Sequence, residues 1–168
     1  QRKQLLKMML PSEQAKTMVL HTARVLNLSK LGNAQALKCI RILTPLIKFR
    51  ACRDARKVTG DAMEVRGGCG FIEEWSDARI VRDAHLGSIW EGTSNIVALD
   101  VIRAVERAEA LPDLKAYLLH LLSHEKIPAV SRQVLTHKLL EVEQFILNIV
   151  AEKNQSDTRK AASALYNI

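Results

Sequence analysis

Apolar positions recur every three or four residues through most of the chain, the spacing of helices that bury one face. The first clear helix is predicted to start at Pro11-Ser12, with Ser12 as N-cap and Pro11 just outside it. Ala15, Met18, Val19, Thr22/Ala23 and Leu26 then mark its inner face. Gly32-Asn33 ends that helix and caps a second, long one over 34–65. In it Ile40, Leu43, Ile47, Ala51, Val58, Ala62 and Val65 share one face, and Lys38, Arg41, Lys48, Arg53 and Arg56 lie around the other. Pro45 removes one i→i−4 hydrogen bond and is expected to kink it. Arg66-Gly67-Gly68-Cys69-Gly70 is a firm break, because three glycines in four positions open backbone angles closed to other residues. A short helix is predicted over 74–86, then a turn around Glu91 and a helix over 93–110. Another starts at Leu111-Pro112-Asp113 and runs to about Ser123. A last long one, over 128–153, carries Val134, Leu135, Leu139, Val142, Phe145, Ile146 and Ile149 as an apolar stripe. Asn154-Gln155-Ser156 ends it, and Ser156 can cap a final short helix. No alternating strand pattern or hairpin dipeptide is found. Long helices with short connections predict an all-α fold, an antiparallel bundle with a four-helix core and extra C-terminal helices. Residues 1–108 are expected to form the bundle and 109–168 a helical extension packed on the same domain.

Composition narrows this picture. A chain of 168 residues is long enough for one domain and short for two. It opens at Gln1 rather than Met, as a piece of a longer protein would. Aromatic residues make up 4%, which suits helices packed by aliphatic side chains. No run reaches the roughly 20 apolar residues of a membrane span, and no signal-peptide order is seen. Cys39, Cys52 and Cys69 fit neither a disulfide framework nor a zinc site, and the five histidines have no metal-ligand spacing. A reducing, cytoplasmic location is expected, mitochondrial or peroxisomal if the source is eukaryotic. Charge is uneven: residues 1–60 carry +11 and residues 61–168 carry −4, for a net +7. The basic N-terminal third is either a solvated helix face or a surface for an anionic partner.

Candidate chemistry concentrates in Ser88-Ile89-Trp90-Glu91-Gly92-Thr93-Ser94-Asn95-Ile96. Here one carboxylate, Glu91, lies between two apolar stretches. Ile89, Trp90, Ile96 and Val97 are expected to keep it partly dry, and a carboxylate in dry surroundings is a better base. Thr93, Ser94 and Asn95 can each cap the next helix, whose first N–H groups favour anionic or hydrogen-bond-accepting ligand groups. Taken alone, the segment reads first as an ordinary capped helix start with an acidic residue beside it.

Asp61-Ala62-Met63-Glu64-Val65-Arg66-Gly67-Gly68-Cys69-Gly70, followed by Arg82-Asp83-Ala84-His85-Leu86-Gly87-Ser88-Ile89-Trp90-Glu91-Gly92-Thr93-Ser94-Asn95, resembles the C-terminal helical domain of the acyl-CoA dehydrogenases. The resemblance covers about residues 1–108 and is sharpest from Thr44 to Val105. Thr44-Pro45, Ala62-Met63-Glu64, Ser88-Ile89-Trp90 and Ala98-Leu99-Asp100-Val101 look most like the AidB-type branch, linked to the bacterial response to alkylating agents. The tail from Leu111 resembles that branch more loosely. The resemblance implies an oxidoreductase in which a carboxylate removes the α-proton of an acyl-CoA thioester while the β-hydrogen leaves as hydride to FAD. Glu91 matches the catalytic base. Trp90 matches a residue flanking flavin and acyl chain, and Thr93 and Asn95 match FAD contacts. Gly67 and Gly68 match the break where FAD, often a neighbouring subunit's, approaches the backbone. Glu64 stands where many members have Gln, which weakens any cofactor role there. Arg82 and Asp83 read as structural.

The family also implies a homo-oligomer, dimer or tetramer, and two further domains that complete the acyl-CoA and FAD sites. This chain alone is therefore expected to bind FAD weakly or not at all and to show no turnover. Two alternatives remain. One is duplex-DNA binding, as is thought of the AidB-type branch, with Lys38, Arg41, Lys48, Arg53 and Arg56 supplying phosphate contacts. The other is a purely structural oligomerisation domain.

Overall fold

A computed structural model describes residues 2–153 and 155–168. All regular structure among them is helical: α1 Arg2–Lys30, α2 Ala34–Arg66, the single turn α3 Gly68–Phe71, α4 Asp77–Leu86, α5 Ser94–Ala108, α6 Ala110–Leu122, α7 Ala129–Glu152 and α8 Thr158–Tyr166. A turn of 3₁₀ helix, Gln155–Asp157, leads into α8. The all-α bundle expected from the periodicity is the observed fold. Asn154, expected in the turn that ends α7, lies outside the described residues.

The long helix α2 organises the rest. It packs against α1, α4, α5, α6 and α8. Ile42, Leu46 and Phe49 from α2 meet Val101 of α5, Leu114 of α6, Ile146 of α7 and Ala161 of α8 in one core. Asn33 starts α2 as its sequence promised: its side-chain oxygen accepts a hydrogen bond from the Ala36 N–H at 2.8 Å. Gly67 ends α2 with φ of +63°, a left-handed conformation that glycine adopts without steric cost. Gly70 serves space instead, since a Cβ there would collide with the Met63 carbonyl oxygen.

Several boundaries and faces differ from expectation, each for a physical reason. Helix α1 begins upstream of Pro11, which lies within it. Proline removes one hydrogen bond, but the apolar period already runs through Leu5, Leu6, Met9 and Leu10 and the flanking turns keep theirs. Ser12 is no cap; its hydroxyl donates to the Met8 carbonyl at 2.8 Å. The inner face of α1 is Met18, His21 and Val25, while Val19, Ala23 and Leu26 are exposed. With apolar residues on both sides of the helix, periodicity alone does not choose the face that meets α2. On α2 the fully buried set is Ala36, Cys39, Ile42, Leu43, Leu46 and Phe49; Ile40 and Ile47 are half-buried and Val65 is exposed. Neighbours on several sides widen the buried arc beyond one stripe. The α7 stripe holds at Leu139, Val142, Ile146 and Ile149, but Val134 near its start is exposed. Helix α4 begins at Asp77 rather than Glu74, and Asp157, not Ser156, precedes α8. None of the helices is long and apolar enough to cross a membrane, among the described residues.

His21 gives this packing a pH signature. It is half-buried beside Tyr117, ring centroids 5.3 Å apart. Burial first, and the Arg24 charge second, hold its pKa below the ordinary 6.5. The unfolded chain therefore takes up this proton before the folded one. Stability is full above about pH 6.5 and declines as pH falls from there toward the folded value. Thermal midpoints at pH 7.5 and 5.5 should differ in the wild type, and the difference should shrink in His21→Gln.

Candidate functional site

The candidate base sits where α4 hands over to α5. After α4 the chain turns through Gly87–Gly92, and Glu91 adopts φ of +54°. A left-handed backbone is uncommon for a residue with a Cβ and costs about 1 kcal/mol or more. Glu109 and Lys153 share the sign, but they close the ends of α5 and α7; Glu91 closes no helix. Gly92, with φ of +108°, completes the reversal and leads to Thr93, the N-cap position of α5. Thr93 makes no side-chain capping bond. The first amides of α5 thus face the turn without a capping side chain.

Glu91 lines a cleft of about 500 Å³ between α2 and α5, together with Ile40, Arg41, Thr44, Pro45, Lys48, Val97 and Asp100. The dry walls expected around it are largely absent. Val97 is buried, but Ile89, Trp90 and Ile96 are exposed by 62%, 57% and 50%. These three side chains form an open apolar ledge beside the carboxylate rather than a closed pocket. Thr93 and Asn95 are also exposed.

Lys48 holds the turn. Its ammonium donates to the carbonyl oxygens of Gly87 and of Trp90, the latter at 3.0 Å, and lies 5.8 Å from the centre of the Trp90 ring. It thereby satisfies one carbonyl at the end of α4 and one in the turn, and ties the carboxylate-bearing turn to α2. Lys48 is one of the five cations of the duplex-DNA alternative, and here its ammonium is engaged by backbone carbonyls. Its partners are 39 and 42 residues away, and no local pattern announces them. Lys48→Met should loosen the turn locally, by about 1–2 kcal/mol for two charge-assisted bonds that are partly solvated. Amide exchange should accelerate at residues 88–92 and shift the Trp90 emission, while Lys48→Arg retains part of the protection.

The other sequence-selected residues are dispersed. Gly67 and Gly68 lie at the far end of α2, about 30 Å from Lys48 at 1.5 Å per residue. They do not join Glu91 in one site within this chain. Arg82 forms a two-pronged ion pair with Glu73, at 2.6 and 3.0 Å, that braces the loop before α4, and Arg79 pairs with Asp83 at 3.6 Å. Arg66 reaches Asp77 at 3.3 Å and stacks over Trp75, an anchor for the glycine break that periodicity did not reveal. Among the proposed nucleic-acid contacts, Lys38 is paired with Asp113 at 3.2 Å. Arg41 is exposed, Arg53 lies over the Phe49 ring, and Arg56 is half-buried. Two of the five, Lys38 and Lys48, thus have partners within the fold. The three cysteines are free; burial first, then the nearby Asp113 charge, pushes the Cys39 thiol up to about 11. No group of His, Cys, Asp or Glu suited to a metal occurs among the described residues.

A sequence profile of the acyl-CoA dehydrogenase C-terminal domain matches residues 1–106. The chain belongs to the acyl-CoA dehydrogenase family. AidB of Escherichia coli (strain K12) is 40% identical over 74 residues, 44% of this chain and 14% of AidB. Acyl-CoA dehydrogenase family member 11 of Caenorhabditis elegans is 32% identical over 107 residues, 62% of this chain and 17% of that protein. In solved form, C. elegans ACDH-11 in complex with C11-CoA superposes with a TM-score of 0.83 at 24% identity, over 95% of this chain and 29% of that one. That likeness extends the shared fold through the tail beyond α5. The chain spans between 14 and 17% of the length of these two curated relatives. Acyl-CoA dehydrogenases as a family use FAD, and the motif that carries Glu91 falls within the matched residues.

Proposed function

We propose that this chain is the C-terminal domain of an acyl-CoA dehydrogenase-like flavoprotein and that Glu91 is its α-proton base. The carrying observation is the strained Glu91 turn, fixed by Lys48 at the mouth of a cleft and followed directly by the uncapped start of α5. A carboxylate held there can take a proton from a carbon acid lying over the cleft. The α5 amides and the Thr93 and Asn95 side chains offer hydrogen bonds beside it. FAD, when bound, would accept the β-hydrogen as hydride. The residues present fit one edge of such a cofactor. Trp90 and Ile89 offer exposed apolar surface, and the first turn of α5 offers unpartnered N–H groups. Gly67 and Gly68, remote from Glu91, fit contact with a different part of the cofactor or with a neighbouring subunit's FAD.

The exposure of Ile89, Trp90 and Ile96 leaves the base wet in this chain by itself. The isolated 168-residue chain should therefore be colourless after purification and after incubation with FAD. It should not reduce an electron-acceptor dye when an acyl-CoA is added. A yellow preparation with turnover would overturn the view that further domains complete the site.

An oligomerisation role is compatible with this reading and has its own support. Leu5, Leu6, Met9, Leu10 and Leu20 of α1 are all at least half exposed, more clustered apolar surface than one helix of a monomer ordinarily shows. Light scattering of the chain distinguishes a monomer from a dimer or tetramer. Duplex DNA is the less supported partner, since Lys38 and Lys48 are committed within the fold. Binding of a labelled duplex with a steep salt dependence would restore it.

A further inference from the structure

A different part of α2 carries a cluster of charge that the Glu91 site does not use. Arg50, Arg53 and Arg56 recur on successive turns of α2, within about 9 Å along the helix. Arg159 lies exposed in the first turn of α8, the helix that packs against this stretch of α2 through the Arg50–Tyr166 contact. One carboxylate, Asp54, lies among them, and the Arg50 Nε already donates to both of its oxygens at 2.9 and 3.0 Å. The Nε of Arg56 is enclosed with no acceptor. Burial first, and then repulsion from Arg159, Arg56 and Arg50, lowers the pKa of Arg53.

The cations are also held in place. Arg53 stacks over Phe49 at 5.2 Å and Arg50 over Tyr166 at 5.6 Å, and both rings are buried in the core. Stacked guanidiniums present their N–H edges in fixed directions, and a planar fork of donors matches the oxygens of a phosphate. Four like charges facing one engaged carboxylate are unfavourable unless an anion joins them. The three arginines of α2 span only about 9 Å of it; Lys48 on one side is held by the Glu91 turn and Lys38, further along, by Asp113, while Lys57 next to Arg56 is exposed. Three guanidiniums converging over this short span suit one multiply charged group.

We infer that Arg53, Arg56 and Arg159, backed by the Arg50–Asp54 pair, bind a terminal phosphate group, as of a phosphomonoester, at the seam of α2 and α8. This site is independent of the flavoprotein reading, because it uses none of the residues around Glu91.

The test uses the whole chain with inorganic phosphate at constant ionic strength, chloride replacing it in the control. Titration calorimetry should give saturable one-to-one binding. Affinity should fall by about tenfold or more, the loss of roughly one charge-assisted contact, in Arg53→Gln and again in Arg159→Gln. Arg159 is exposed, so its variant keeps the fold if Arg53→Gln does not. Lys38→Gln, on the same helix but outside the cluster, should bind as the wild type does. No saturation with phosphate overturns the inference, and so does equal weakening by Lys38→Gln. Binding of a short duplex but not of phosphate also overturns it and assigns the arginines to a phosphodiester backbone instead.

Discussion

Phe49→Ala should destabilise the chain by about 3–5 kcal/mol, the range for removing a buried aromatic side chain and leaving a cavity. Phe49 is 2% exposed and belongs to the core that joins α2 to α1, α5, α6, α7 and α8. Its neighbours come from helices anchored elsewhere, so they have little freedom to collapse into the space. Against a typical domain stability of about 5–15 kcal/mol, this single change removes a large share. Phe49 is also the platform for Arg53, so phosphate affinity at the α2–α8 seam should weaken together with stability. Urea unfolding followed by circular dichroism reads the first effect. A loss below 1 kcal/mol would mean that the core tolerates the cavity and that α2 does not organise it. Phe49→Leu, which retains apolar bulk but not the ring, should cost less while still lowering phosphate affinity.

What was legible in the sequence was what neighbouring residues decide. Asn33 caps α2, Gly67 ends it and Gly92 turns the chain because each acts on backbone within four residues of itself. The helices themselves follow from a period that survives local disorder in the pattern. What was not legible depends on partners far along the chain. Lys48 reads as one more cation of a basic helix until α4 folds back and brings the Gly87 and Trp90 carbonyls to it. Val19 and Leu26 read as core until α2 packs on the opposite side of α1. Ile89 and Trp90 read as walls of a dry site. Apolar character shows that a surface favours being covered; it does not show that this chain supplies the cover. Arg159 comes to the arginines of α2 from more than a hundred residues away, where α8 packs on α2, and no sequence neighbour marks it.

If the domain belongs to the proposed flavoprotein, Glu91→Gln in that whole protein should lower the kcat of dehydrogenation by roughly 10²–10⁴-fold, the usual contribution of a positioned base. The amide retains the size of the side chain and its capacity for hydrogen bonding, so KM for the acyl-CoA should change little. What is lost is the lone-pair basicity that takes the α-proton. Stability should hardly move, because Glu91 is exposed; surface substitutions of this kind lie within about 0.5 kcal/mol. Glu91→Gly sharpens the argument. It relieves the left-handed strain at φ +54° and should raise stability by up to about 1 kcal/mol, while activity falls as it does in the glutamine variant. A gain in stability coupled to a loss of turnover is the signature of a residue held at a strained position for its chemistry. If Glu91→Gln keeps more than about a tenth of the wild-type rate, a smaller loss than a base ordinarily accounts for, the carboxylate is not the base and the turn is only a helix start.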